Sequence, residues 1–99
     1  MTTLHLLSHS PYGDDRLSSC LRLCGAEDGL LLCGDAVYAL QPASAARKAL
    51  ASLPSGAGLY VLAEDLQARN IQADDAVTAV DYAAFVALTL RYDKVNSWL

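Results

Sequence analysis

Four short apolar runs, each closed by a turn signal or a helical pattern, constrain this chain more than any other feature. They are residues 3–7 (TLHLL), 29–33 (GLLLC), 58–63 (GLYVLA) and 76–80 (AVTAV). Uninterrupted apolar residues over so few positions fit strands covered on both faces, which is how parallel sheets are built. The stretches between them carry helical spacing. Asp14 or Asp15 is placed to cap a helix in which Leu17, Cys20, Leu21 and Cys24 recur at i, i+3, i+4 and i+7, with Gly25 as its stop. SAARKALASL follows with Ser44 as N-cap and Pro54 and Gly56 at its end, and GDAVYAL ahead of it suits a separate short turn of helix.

AEDLQARN, residues 63–70, has room for two helical turns, with Asn70 able to take a left-handed closing conformation. Asp81 is placed to cap a last helix, YAAFVALTLRY, on which Phe85, Leu88 and Tyr92 share a face. Strand–helix alternation of this kind predicts an α/β fold: a small, open, mainly parallel sheet of about four to five strands with helices on both faces. Ninety-nine residues make a single domain over 1–99, and a hydrophobic fraction of 54% is ample for its core.

Charge and termini narrow the function classes. Seven basic residues against eleven acidic ones give a net charge of −4, so there is no broad cationic field for direct nucleic-acid binding. The opening MTTLHLLSHSPYGDD has no basic leader, and no apolar run approaches the ~20 residues a membrane span requires. A cytoplasmic protein without membrane contact is expected. Three cysteines, Cys20, Cys24 and Cys33, are an odd number for a disulfide framework and should be free thiols there.

The chemical motifs are sparse. Cys20 and Cys24 lie one helical turn apart, but there is no CxxC pair, and His5 and His9 stand at no ligand spacing from any cysteine, so no metal site is expected. No glycine-rich phosphate loop joins a strand to a helix, since PSGAG precedes a strand, and no cofactor is expected. SHSP with Asp14 and Asp15 brings serine, histidine and aspartate close in sequence without a nucleophile elbow. His5 reads as a satisfied buried histidine and His9 as a polar loop residue. Cys24 and Cys33 read as small apolar core residues, as free cysteines usually are.

The segments LHLLSHSPY, GLLLCGDAVYAL, YVLAEDLQARN, VDYAAFVALTL and VNSWL, in this order and spacing from Leu4 to Leu99, resemble the TusB/DsrH family of small sulfur-relay subunits, with a DsrEFH-like fold. The ending from Val80 to Trp98, combined with Ser10-Pro11, carries most of that likeness. The resemblance implies a subunit of a heterohexamer with two homologous sulfur-relay subunits, TusC/DsrF-like and TusD/DsrE-like. In the Tus form, persulfide sulfur passes through a further carrier towards 2-thiolation of the tRNA wobble uridine, as in 5-methylaminomethyl-2-thiouridine. The Dsr form serves dissimilatory sulfur oxidation.

Laid over the homologous subunit that holds the relay cysteine, YVLAEDLQARN places Leu62 at the cysteine's position. The resemblance therefore implies a noncatalytic structural subunit, with no catalysis by this chain alone. Some DsrH-type members have a cysteine at SSCL, which leaves Cys20 as the one sulfur-carrier candidate and a DsrH-type carrier as the alternative function. Ala36 and Asn70 both stand where the family often has glycine. A subunit without chemistry contributes surface, so Tyr82, Phe85, Tyr92 and Trp98 are the interface candidates; helical spacing also allows Phe85 a core position, and Trp98 either packs internally or meets a partner. A small-ligand-binding α/β domain unrelated to sulfur is the remaining alternative, on fold analogy alone.

Overall fold

The computed structural model describes residues 2–13 and 15–98. Five strands, β1 (Thr3–Leu7), β2 (Gly29–Leu32), β3 (Gly58–Leu62), β4 (Thr78–Val80) and β5 (Lys94–Trp98), form one sheet in the order β4-β3-β2-β1-β5. Every adjacent pair is parallel. The α/β sheet expected from the apolar runs is therefore present, with all four runs in it and β5 as an addition. VNSWL had read only as an apolar ending. Residues 94–98, KVNSW, instead pair along the whole of β1, from Thr3 opposite Lys94 to Leu7 opposite Trp98, and Leu99 lies outside the described residues.

What sets β5 in place is remote in sequence. The Thr2 amide donates to Asp93 at 3.0 Å, the Asp93 amide donates to the Thr2 hydroxyl at 3.1 Å, and the Lys94 amide donates to the Thr2 carbonyl at 3.0 Å. This reciprocal clip aligns the two chain ends before the ladder begins.

The helices are α1 (Arg16–Leu23), α2 (Ala45–Leu50), α3 (Ala63–Ala68) and α4 (Tyr82–Arg91), with a 3-10 turn at Gly34–Leu40. Ser44 and Asp81 act as the caps expected of them, accepting from the amides of Arg47 and Ala84. Asp15 occupies the N-cap position of α1 without a side-chain capping bond, and Asp14 lies outside the described residues. Asn70 takes the left-handed conformation, φ 52°. Ala36 sits fully buried inside the 3-10 turn, where the left-handed residue is Gly34, φ 53°.

Strand order decides which helix covers which face. Three successive steps run β1 to β4 in one direction across the sheet, and only the β4-to-β5 connection runs back. Right-handed crossovers then place α1, α2 and α3 on one face and α4 alone on the other. The cores divide accordingly. Leu7, Leu30, Leu32 and Val61 pack with Leu17, Val37, Leu50 and Leu66 on the first face, while Leu4, Leu31 and Val80 pack with Leu88 on the second.

On the second face a tyrosine pair fills the start of the sheet. The Tyr60 and Tyr92 hydroxyls are 3.4 Å apart, and their rings lie over two glycines opposite each other in the ladder, Gly29 and Gly58. A Cβ on Gly29 would come within 2.5 Å of the Tyr92 hydroxyl, and one on Gly58 within 2.6 Å of the Tyr60 ring. Glycine is required there by close approach. Burial, and then the neighbouring Tyr60, push the Tyr92 phenol up to about 12.

Candidate functional site

In open parallel sheets, chemistry gathers outside the carboxyl ends of the strands, so the end of β3 is the first place to look. Leu62 stands there as the last strand residue and the residue before α3, with its side chain 4% exposed. The turn beyond it is tied to the neighbouring strand end. Asp65 accepts from the Gly34 amide at 2.7 Å, and Arg69 bonds Asp35 at 2.9 Å while its guanidinium lies 5.9 Å from the Tyr38 ring centre. These contacts hold a structural corner; the described strand end presents no nucleophile.

The three thiols are unlike one another. Cys20 is fully buried between α1 and the sheet, and burial first, then Cys24 and Asp28, push its thiol up to about 12. A sulfur acceptor needs an accessible thiolate, and both the burial of Cys20 and its raised thiol weigh against that role in the isolated chain. Cys33 is half-buried at the end of β2, where its Sγ lies 3.6 Å from the Leu7 carbonyl. Burial and Asp65 raise its thiol and Arg69 opposes them.

Cys24 sits elsewhere, and sequence reasoning missed its surroundings. At the opposite, amino end of the sheet, the Cys24 Sγ, a His5 ring nitrogen and an Asp28 carboxylate oxygen lie within 4.8 Å of one another. His5 had no ligand spacing from any cysteine in sequence. Strand β1 carries it inward, α1 ends at Cys24, and the turn into β2 brings Asp28 back beside both. The only local signal was the GAEDG turn, in which Asp28 accepts from the Gly25 amide at 2.8 Å. Asp28 also accepts from the Thr3 amide at 3.0 Å, which ties that turn to β1. Burial alone would raise the Asp28 carboxyl, but the Gly25 and Thr3 amides and the His5 ring outweigh it and hold it below its ordinary value. Burial and the Asp28 charge raise the Cys24 thiol.

The aromatic candidates divide between inside and outside. Phe85 and Tyr92 pack against the core beneath α4, and Trp98 is partly buried against the other core, donating its indole N–H to His5 Nδ1 at 3.1 Å. Tyr82 points outward, 59% exposed, and Val86 and Leu90 follow it at four-residue spacing with exposures of 56% and 82%. The outer side of α4 is thus an apolar stripe, with Val95 of β5 exposed nearby in sequence. Val86 and Leu90 were not among the sequence candidates, because their spacing reads equally well as a core face.

An open concavity of about 600 Å3 between Pro42 and Ile71 is lined by no titratable side chain, so it brings no acid–base or nucleophilic group to a ligand.

Comparison with known proteins agrees with this arrangement. The family model described as DsrH like protein matches residues 9–95. The chain belongs to the DsrH-like family. Proteins named Protein TusB from Yersinia pestis (strain Pestoides F) and Yersinia pseudotuberculosis serotype O:1b (strain IP 31758) are each 42% identical to it over 97 residues, covering 96% of this chain and 99% of theirs. The crystal structure of the ychN protein from E. coli superposes with a TM-score of 0.80 at 21% identity, covering 99% of this chain and all of the other, which establishes the shared fold. No helix among the described residues is long and apolar enough to cross a membrane.

Proposed function

We propose that this chain is a noncatalytic structural subunit of a TusBCD-type sulfur-relay complex, cytoplasmic, that supports 2-thiolation of the tRNA wobble uridine. Its partners are two homologous subunits in a heterohexamer, and a downstream carrier receives sulfur from the complex. The observation that carries the reading is the outward stripe Tyr82, Val86 and Leu90, an apolar surface on a helix whose outer side is left exposed among the described residues. Leu62 at the end of β3 supports the noncatalytic part, because a buried leucine there leaves the strand end without a thiol. Names of relatives at 42% identity favour the tRNA branch over dissimilatory oxidation.

The test is co-expression with the two homologous subunits, purification through a tag on this chain, and mass determination of the intact assembly. Two copies of each subunit are expected. In a strain carrying Cys20→Ala, Cys24→Ala and Cys33→Ala together, wobble-uridine thiolation should persist. Lost thiolation with an intact assembly would overturn the noncatalytic role, and recovery of this chain alone would overturn the complex.

A further inference from the structure

His5 presents two different problems on its two ring nitrogens. Nδ1 accepts from the Trp98 indole, which can only donate, so the ring proton of the neutral imidazole resides on Nε2. Nε2 is buried, in a residue 4% exposed, and has no hydrogen-bond partner. It faces Asp28 Oδ2 at 3.8 Å, too long for a hydrogen bond. Two ligand atoms about 2.1 Å from a tetrahedral ion stand about 3.4 Å apart, so the gap is close to a chelating separation. The third corner, Cys24 Sγ, lies within the same 4.8 Å group and has only a 3.9 Å contact to the Gly25 carbonyl.

We propose that His5, Cys24 and Asp28 form a site for a divalent transition ion of zinc's type, with water as fourth ligand, whose binding releases Trp98 from His5. Thiolate, imidazole and carboxylate together suit zinc and poorly suit magnesium or calcium, which prefer oxygen alone. Asp28 keeps free lone pairs beyond its bonds to Thr3 and Gly25, and its side chain, 15% exposed, is the side from which an ion and its water enter. The proton balance is definite. Cys24 gives its thiol proton to solvent; Nε2 loses its proton to the metal bond while Nδ1 takes one up. Net release is one proton per ion. An Nδ1–H cannot face the indole N–H, so the Trp98 hydrogen bond must break.

That last step separates this site from a merely structural cluster. A metal-bound histidine normally donates its other N–H to an acceptor, and losing such a partner costs about 10–100-fold in affinity. Trp98 has the wrong polarity, so it opposes the ion, and removing it should strengthen binding. The proposal is independent of the sulfur-relay role.

The experiment titrates the reduced, chelator-treated full chain with Co2+ and follows thiolate-to-cobalt charge-transfer absorption together with the emission of Trp98, the single tryptophan. One equivalent should saturate both signals, and Zn2+ should displace Co2+. The absorption should vanish in Cys24→Ala and persist in Cys20→Ala and Cys33→Ala. Trp98→Phe should bind about tenfold more tightly. A gain of affinity cannot come from failure to fold, which keeps the test decisive if Cys24→Ala proves unstable. Absence of the charge-transfer band, its survival in Cys24→Ala, or no tightening in Trp98→Phe would each overturn the proposal.

Discussion

The two faces of the sheet are finished to different degrees. On one, α1, α2, α3 and the 3-10 turn close over Leu7, Leu30, Leu32 and Val61, and the core includes Ala36, Val37 and Ala39 at zero exposure. On the other, α4 alone covers Leu4, Leu31 and Val80, and its outer side remains apolar. The difference follows from strand order, because a single reversed connection supplies a single helix. That single helix buries Leu4 and Leu31 completely, and the apolar residues left on its outer side are the surface that the proposed partner would cover.

The largest effects should therefore arise on the crowded face. Leu30→Ala removes a side chain at zero exposure from among neighbours on several elements that cannot collapse inward, and should cost about 4 kcal/mol in the isolated chain. Leu88→Ala, beneath α4 with an open outer side, should cost about 2 kcal/mol because the helix can settle onto the sheet. Urea midpoints read both values. Equal costs would break the contrast between faces.

Gly29→Ala probes how tightly the thin face is nevertheless packed at one end. The added Cβ meets the Tyr92 hydroxyl at 2.5 Å, Tyr92 Cζ at 2.8 Å and Leu4 Cδ1 at 3.2 Å, an overpacking worth about 1–3 kcal/mol. Tyr92→Phe in the same chain should recover part of that loss, since it removes the nearest atom but not the ring. A double-mutant cycle measures the recovery, and strict additivity would mean the two residues do not meet as described.

A smaller effect distinguishes the crowded face by pH. The Asp28 carboxyl is held below its ordinary value of 3.8 in the folded chain, so its contribution is fully present above that value and is lost as pH falls through the lower folded one. Asp28→Asn should flatten the acid side of the stability curve below about pH 4 while leaving the slope near neutrality unchanged. An unaltered acid limb in the variant would show that the Gly25 and Thr3 amides do not depend on the charge.

Most of the architecture was legible because it is written in local patterns. Buried strands such as GLLLC announce themselves by continuous apolar residues, and Ser44 and Asp81 by their position ahead of helical spacing. Strand β5 was hidden because KVNSW has no apolar run; as an exposed edge its pairing comes from β1 and from the Thr2–Asp93 clip, ninety-one residues apart in sequence. The His5, Cys24 and Asp28 group was hidden for the same reason, since β1, the end of α1 and the turn into β2 meet only in the folded chain. The place of Leu62 at the end of β3 was legible, though through family likeness and not through any spacing. The outward stripe lay between these cases: Val86 and Leu90 have core-like spacing, and only their exposure in the folded chain shows that they are uncovered among the described residues.

The smallest expected change in stability is also the sharpest test of the comparison. Leu90 is 82% exposed, so Leu90→Asp removes almost no packing from the isolated chain and should alter its unfolding free energy by no more than about 0.5 kcal/mol. In the proposed assembly the same substitution would place a carboxylate within an apolar contact, where burying a charge without a partner is costly. Co-purification with the homologous subunits should fall sharply while the chain's own urea midpoint stays in place. Lys48→Asp on the exposed side of α2 changes charge on the finished face and should leave both measurements nearly unchanged. If Leu90→Asp spares the assembly, the thin face is not where the partner sits; if it destabilises the isolated chain by more than the small amount expected, α4 depends on that stripe within its own fold. Retained stability with lost association is the only outcome in keeping with one face closed by this chain and the other by a neighbour.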